Sequence, residues 1–200
     1  MKSTLMRKTV LSVAGVAFAG GLVAGPVTGA MAADTHSAKP AAAAVQTVSD
    51  DKPDAGKLSP HGTQGAQSRI DLSDEQKGNA KAIVAATKAN GLDERAAVIS
   101  IATALQESKL QNLGNLGDAN DHDSLGLFQQ RPTSGWGSPE QITNPQYATT
   151  AFQKALKDVP GWQDMPLTDA AQKVQVSAYP DAYAKWESQA ADLTAQYWNS

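Results

Sequence analysis

Apolar residues recur every three or four positions through the last two thirds of the chain, which is the spacing of amphipathic helices. Ser73 and Gln76 fit a capping box that opens the first helix, and Gly91 is a suitable stop. A second helix is expected from about Asp93, and its last turn carries Glu107. The pattern therefore predicts two successive helices, the second of which ends on a carboxylate.

The later apolar positions also predict helices. Asn144 and Pro145 fit an N-cap and a first helical residue, a short helix is expected over 168–176, and Pro180 is expected to open the last one. Residues 109–144 are rich in Gly, Asn, Asp and Pro and indicate one long loop, as binding segments often are. No segment alternates apolar and polar residues as a strand does. The predicted fold class is all-α, with five or six helices.

The first 32 residues have the layout of a secretory signal peptide. A basic start precedes an apolar run over residues 10–24, and small residues follow up to Ala32. We expect cleavage after Ala32 or Ala33, secretion to the medium or the cell wall, and no stable membrane insertion afterwards. An uncleaved membrane anchor is disfavoured because the run is glycine-rich and shorter than a span of about 20 residues.

Residues 33–70 contain almost no large apolar side chain. Such a segment cannot bury enough surface to offset the entropy lost on ordering, so a disordered linker is predicted. The linker is either a spacer that lets a tethered enzyme reach its substrate or a tolerated tail. The predicted domain covers residues 71–200, and we expect it to be a monomer.

Composition and charge exclude several classes of protein. The chain has no cysteine, which rules out thiol catalysis, thiolate metal sites and disulfides. Loss of residues 1–32 removes three of the 17 basic residues, so 14 remain against 20 acidic ones, a net charge of −6. A basic footprint for nucleic acid is therefore absent.

The histidines offer no catalytic constellation. His36 and His61 lie in the predicted linker, which leaves His122 as the one histidine of the domain. The sequence has no G-x-S-x-G turn for a serine nucleophile and no H-E-x-x-H zinc motif. A phosphate-binding glycine loop would need a preceding strand, and none is predicted. We therefore expect no cofactor.

Three aspartates, Asp118, Asp121 and Asp123, cluster in the long loop and suggest a calcium site at first sight. Their spacing does not match a helix–loop–helix calcium loop, because the fifth position would be His122 and the twelfth Gln129. Solvated acidic residues in a polar loop are the favoured interpretation, and no metal is expected.

Glu107 is the remaining candidate for chemistry. A carboxylate at the end of a helix meets the negative end of the helix dipole, and partial burial acts in the same direction. Both disfavour the charged form and raise the pKa, as a general acid near neutral pH requires. The competing interpretation is a solvated glutamate in a frayed last turn.

Three short motifs in this order resemble the signatures of soluble lytic transglycosylases: Glu107-Ser108, Gly126-Leu127-Phe128-Gln129 and Ala178-Tyr179. These enzymes have a lysozyme-like fold and cleave the glycan of bacterial peptidoglycan. The resemblance covers about residues 75–190. The run over residues 104–186 is more specifically similar to a lysozyme-like domain of secreted actinobacterial wall proteins.

The resemblance implies a role for each matching residue. Glu107 would protonate the leaving glycosidic oxygen and then act as the base, while the substrate's acetamido group assists and its primary hydroxyl closes an anhydro ring. Ser108 would stand beside the substrate, and Tyr179 would lie near the glutamate. The cleft would be lined by Ser124, Gly126, Leu127, Phe128 and Gln129. The implied partner is the peptidoglycan glycan strand.

The sequence also departs from the family pattern. Pro180 stands where asparagine normally follows the tyrosine, and the loop before Gly126 is more acidic. Asp118, Asp121 or Asp123 could supply a second carboxylate that positions water, which would make the enzyme a lysozyme-type hydrolase. Transglycosylation is preferred over hydrolysis. A third reading is a catalytically inactive wall-binding module of the same fold.

Aromatic residues fit a sugar-binding cleft. Trp136 lies between two glycines in the long loop and is the best candidate for stacking on a sugar ring. Trp186 and Trp198 stand at an apolar helical spacing and are expected in the core. Trp162 is undecided between these two roles.

Overall fold

Helices account for the regular structure of this computed structural model, which describes residues 53, 55–115, 117 and 123–200. Three short 3₁₀ segments cover Pro132–Ser134, Trp162–Asp164 and Ala184–Trp186. In the described ranges no strand forms, and the one β-bridge is isolated. The all-α prediction is confirmed. The helices are α1 (Ala55–Leu58), α2 (Asp74–Ala89), α3 (Glu94–Ser108), α4 (Pro139–Ile142), α5 (Pro145–Lys157), α6 (Leu167–Gln175) and α7 (Glu187–Tyr197).

The sequence signals for helix starts match the observed caps. The Ser73 side chain accepts a hydrogen bond from the Gln76 amide, and the Gln76 side chain accepts one from the Ser73 amide, which is a complete capping box. Asp93 caps α3, and Asn144 caps α5 with Pro145 as the first helical residue. The predicted starts of these three helices are confirmed. The sequence indicates them because each start depends on hydrogen bonds between neighbouring residues.

Helix α3 is the centre of the packed domain. Every residue from Ala96 to Leu105 is 0% exposed, and α2, α5, α6 and α7 all contact this helix. Two of its buried hydroxyls bond within the helix, since Ser100 and Thr103 donate to carbonyls four residues earlier. The small side chains of Ser100, Thr103 and Ala104 thus allow close packing, and the helix reaches the surface again at Gln106 and Glu107 in its last turn.

Residues before the predicted boundary at residue 71 also contact the helical domain. Leu58 is 4% exposed within the core, the Ser68 amide donates to the Lys185 carbonyl, and Ile70 exchanges two hydrogen bonds with the side chain of Gln189. A few specific hydrogen bonds to the backbone thus hold residues 58–70 in place. This segment has too few apolar residues for the sequence to predict that it is structured. The predicted signal peptide, with Ala32 and Ala33, and residues 33–52 of the predicted linker lie outside the described residues.

A buried ion pair ties this early segment to the core. Arg95 Nη1 lies 2.7 Å from Glu187 Oε1, with both side chains at most 4% exposed. The same nitrogen donates to the Leu58 carbonyl at 2.9 Å, and Nη2 donates to the Met165 carbonyl at 3.2 Å. One guanidinium therefore joins α1, α3 and α7 at a single buried point.

The C-terminal segment differs from the sequence prediction. Pro180 does not open the last helix, because the Thr168 hydroxyl donates to its carbonyl at 2.6 Å and holds residues 176–183 as a loop. Helix α7 begins only at Glu187. Trp186 is buried as predicted and Trp162 proves to be a core residue, whereas Trp198 only borders the core. None of the described helices is long and apolar enough to cross a membrane.

Candidate active site

Glu107 lies at the mouth of an open cavity of about 560 Å³. It is the next-to-last residue of α3, where the helix leaves the core, and its side chain is half-buried. Lys109 ends the helix in a left-handed conformation with φ 58°. The cavity walls come from the end of α3, from residues 124–131 and from residues 175–179. Two segments distant in sequence therefore meet around one carboxyl group.

Burial controls the protonation of Glu107. Removal from water raises the pKa of its carboxyl above the ordinary value of 4.5. Hydrogen bonds from Tyr183 and Gln175 and the positive charge of Lys109 oppose this rise but do not cancel it. The pKa thus shifts in the expected direction, and desolvation is the leading cause. Such a carboxyl holds its proton to higher pH than an ordinary glutamate.

Tyr183 is the tyrosine that contacts Glu107. Its hydroxyl donates to Glu107 Oε1 at 2.7 Å, and its side chain is 0% exposed. Burial, followed by the charge of Glu107, raises the pKa of Tyr183, so the hydroxyl stays protonated as a donor. Tyr179, which the sequence placed near the glutamate, is 74% exposed at the cavity rim. The missed signal is a repeat, since an Ala-Tyr pair occurs at both 178–179 and 182–183.

Gln175 is a second site residue that the motifs do not reveal. It is the last residue of α6, and its Nε2 donates to the Phe128 carbonyl at 2.9 Å. Its side chain also favours the charged form of Glu107 and so lowers the pKa of that carboxyl. One amide therefore acts on the carboxyl group and holds the 126–129 turn, a contact that no local pattern in the sequence indicates.

Ser108 has a different position from the one predicted. It is 5% exposed and donates hydrogen bonds to the Leu127 carbonyl at 2.8 Å and to the Ala104 carbonyl at 3.1 Å. It therefore fastens the turn to α3 and does not face the cavity. Leu127 is itself fully buried and does not line the cleft. Both residues support the wall from behind.

Of the other residues predicted to line the cleft, some line the wall of the Glu107 cavity and one lies behind it. Gly126 has φ 71°, and a Cβ atom there would lie 2.4 Å from the Ile142 carbonyl oxygen. This glycine therefore lets the turn lie close to the backbone of Ile142. Ser124, Phe128 and Gln129 line the cavity. The Phe128 ring stacks on the Phe152 ring with 4.8 Å between centroids, which anchors the wall to α5.

Unusual backbone conformations border the same cavity. In the part of the chain that the structure describes, the residues other than glycine with positive φ are Lys109, Leu110, Gln129 and Val176. The first two follow Ser108, the residue after Glu107, and the other two line the cavity. Val176 is 79% exposed, and β-branched residues such as valine rarely adopt a positive φ. Such conformations cluster at functional sites, where the surrounding structure holds them in place.

The Asp123 carboxylate stabilises its own loop through hydrogen bonds to Arg131 and Thr133. One carboxylate oxygen accepts from Arg131 Nε at 2.5 Å, and the other accepts from the Thr133 hydroxyl at 2.6 Å and the Thr133 amide at 3.0 Å. These bonds hold the pKa of Asp123 well below its usual range. Asp118 and Asp121 lie outside the described residues, within which no group of three acidic or histidine side chains could hold a metal ion.

Trp136 does not reach the Glu107 cavity. It lines a separate pocket of about 370 Å³ together with Tyr147 and Lys154. The structure thus gathers Glu107, Ser124, Phe128, Gln129 and Tyr179 at one cavity, places Ser108, Gly126 and Leu127 behind its wall, and moves Trp136 away.

Comparisons with known proteins add no assignment. Neither a scan against protein-family models nor a search of curated proteins gives a match for this chain.

Proposed function

We propose that the protein is a secreted lytic transglycosylase that cleaves the glycan strands of peptidoglycan, with Glu107 as its general acid and base. The observation that carries this proposal is the half-buried Glu107 carboxyl, hydrogen-bonded to Tyr183 in an open cavity of about 560 Å³. The all-α architecture with a central buried helix supports a lysozyme-like fold. Cell-wall association and a monomeric state belong to the same proposal.

The reaction begins with proton transfer. Protonated Glu107 gives its proton to the glycosidic oxygen as the bond from that oxygen to the sugar's anomeric carbon breaks. The substrate's acetamido oxygen assists by bonding to the anomeric carbon. The resulting Glu107 carboxylate then removes the proton of the sugar's primary hydroxyl, whose oxygen displaces the acetamido oxygen and closes the anhydro ring. The proton returns to Glu107, so the enzyme ends as it began.

Tyr183 and Gln175 position the acid. The Tyr183 hydroxyl donates to the carboxyl of Glu107 from the C-terminal loop, and the Gln175 amide at the end of α6 lowers the pKa of that carboxyl. Groups from two separate elements thus orient the carboxyl and stabilise the carboxylate that follows proton transfer. They also limit the rise of the pKa, which keeps the group able to act as both acid and base.

Hydrolysis is the second candidate, and the state of Asp123 bears on it. A hydrolase of the inverting type needs a second carboxylate with free oxygens to activate water. Both oxygens of Asp123 are occupied by Arg131 and Thr133, which favours chemistry with one carboxylate. An inverting hydrolase would therefore need Asp118 or Asp121 as its second group.

Analysis of the products tests the proposal. Purified peptidoglycan is digested with the wild-type protein and with Glu107→Gln, and soluble fragments are examined by mass spectrometry. Anhydro ends from the wild type alone support transglycosylation. Reducing ends support the hydrolase. Binding to the wall without any released fragment supports an inactive wall-binding module and contradicts the proposed activity.

A further inference from the structure

The Trp136 pocket lies between the turn at residues 135–136 and one face of α5. Tyr147 and Lys154 each lie three and four residues from Thr150 and Ala151, so the four side chains share that face. None of the residues that line this pocket lines the Glu107 cavity. The chain thus presents a second concave surface, rich in aromatic side chains and carrying a lysine.

Exposed apolar residues are concentrated at these two places. Among the described residues, the large hydrophobic side chains that are more than about a third exposed are Tyr147, Val176 and Tyr179, at 36%, 79% and 74% exposure. Val176 and Tyr179 border the Glu107 cavity, and Tyr147 borders the Trp136 pocket. Exposed apolar surface gathered at a pocket is typical of a binding site.

The loop geometry holds the second pocket in place and connects it to the first. A Cβ atom on Gly137 would lie 2.9 Å from the Tyr147 ring, so glycine lets that ring rest against the loop. The Trp136 amide donates to the Arg131 carbonyl at 3.5 Å, and the Arg131 side chain lines the Glu107 cavity. One short loop therefore carries a wall of both pockets.

We propose that Trp136, Tyr147 and Lys154 form a second binding surface for a glycan strand, which rests on the proposed function. Aromatic side chains present flat apolar faces to the C–H face of a pyranose ring, as in other largely apolar ligand sites. The Lys154 ammonium offers three donors to acetamido or carboxylate oxygens of an amino-sugar polymer. The surface holds a polymeric strand outside the cavity in which it is cut.

Retention on insoluble peptidoglycan tests the surface in a Glu107→Gln background, in which the strand stays intact. Trp136→Ala and Tyr147→Ala are each expected to weaken retention about fivefold, the size of effect of one aromatic anchor. Trp136→Phe should restore most of it, and Lys154→Gln should weaken it. Lys157→Gln is the matched control, because Lys157 is exposed in the same last helical turn but does not line the pocket.

The outcomes separate the surface from the catalytic assignment. Wild-type retention by both Tyr147→Ala and Lys154→Gln overturns the surface, even where Trp136→Ala does not fold. Equal weakening by Lys157→Gln also overturns it, since the effect would be one of general charge. A loss of retention in the pocket variants while the wild type releases no fragments supports the surface and contradicts only the proposed cleavage.

Discussion

The Tyr183 hydroxyl donates a hydrogen bond of 2.7 Å to Glu107 Oε1 across 76 residues of sequence. This bond joins the end of the central helix to the loop that precedes α7. Because the tyrosine ring is fully buried, its hydroxyl has a fixed position from which to orient the carboxyl. The bond also favours the ionised carboxylate and so lowers the pKa of Glu107, against the effect of burial.

Tyr183→Phe keeps the ring but removes this bond, so the pKa of Glu107 should rise further. A general acid is lost as pH rises through its pKa, and the alkaline limb of kcat/KM is therefore expected to move to higher pH. The pH profile of fragment release measures this shift. Tyr179→Phe is the control, since its exposed ring should leave the profile unchanged. An unmoved alkaline limb in Tyr183→Phe would show that Glu107 does not set it.

Glu107 should also make folding stability depend on pH. Its folded pKa is raised, so its contribution to stability is full below the ordinary value of 4.5 and is lost as pH rises through the folded pKa. Glu107→Gln is neutral throughout and is expected to be more stable than the wild type at neutral pH, with the difference shrinking in acid. Urea unfolding at several pH values measures this, with the exposed Glu75→Gln as control. A less stable Glu107→Gln at neutral pH would contradict the argument.

Gly126→Ala should destabilise the domain more than Gly91→Ala. Both glycines have positive φ, 71° and 67°, so each alanine carries about 1–2 kcal/mol of backbone strain. Only at Gly126 would the new Cβ atom meet a neighbour, the Ile142 carbonyl oxygen at 2.4 Å, while nothing lies within 4 Å at Gly91. Crowding of this kind adds about 1–3 kcal/mol. Equal unfolding free energies for the two variants would show that the close approach does not matter.

Glu187→Gln should be among the more damaging polar substitutions. It leaves Arg95 as a buried charge without its carboxylate, and breaking a buried pair costs about 3–5 kcal/mol. Asp192→Asn breaks an exposed pair with Arg69 and should cost no more than about 1 kcal/mol. Chemical denaturation compares the two. A similar small loss for both would mean that the buried pair contributes no more than a surface one.

Local hydrogen bonding explains why much of the fold could be predicted from the sequence. The starts of α2, α3 and α5 follow from Ser73, Asp93 and Asn144, whose side chains bond to amides two or three residues later. Such signals need no knowledge of the rest of the chain. The start of α7 could not be predicted in this way, because the Thr168 hydroxyl takes the Pro180 carbonyl from 12 residues away.

The site was predictable only where it depends on one residue's place in a helix. Glu107 follows from the end of an apolar helix, and burial raises its pKa as that position suggests. Its partners Tyr183 and Gln175 come from distant segments, and the apolar pattern around Tyr183 indicates core and catalytic positions equally well. Ser108 belongs to the first motif, yet its hydroxyl donates to the Leu127 carbonyl behind the cavity wall. Tertiary packing alone determines this contact.

The rate at which purified peptidoglycan releases soluble glycan fragments tests the central role of Glu107 most directly. Glu107→Gln is expected to lower this rate about 10²–10⁴-fold, the usual contribution of a general acid, while the protein remains folded. Glu75→Gln, an exposed glutamate in the first turn of α2, should retain the wild-type rate. Release by Glu107→Gln at the wild-type rate would contradict the assignment of Glu107 as the catalytic acid.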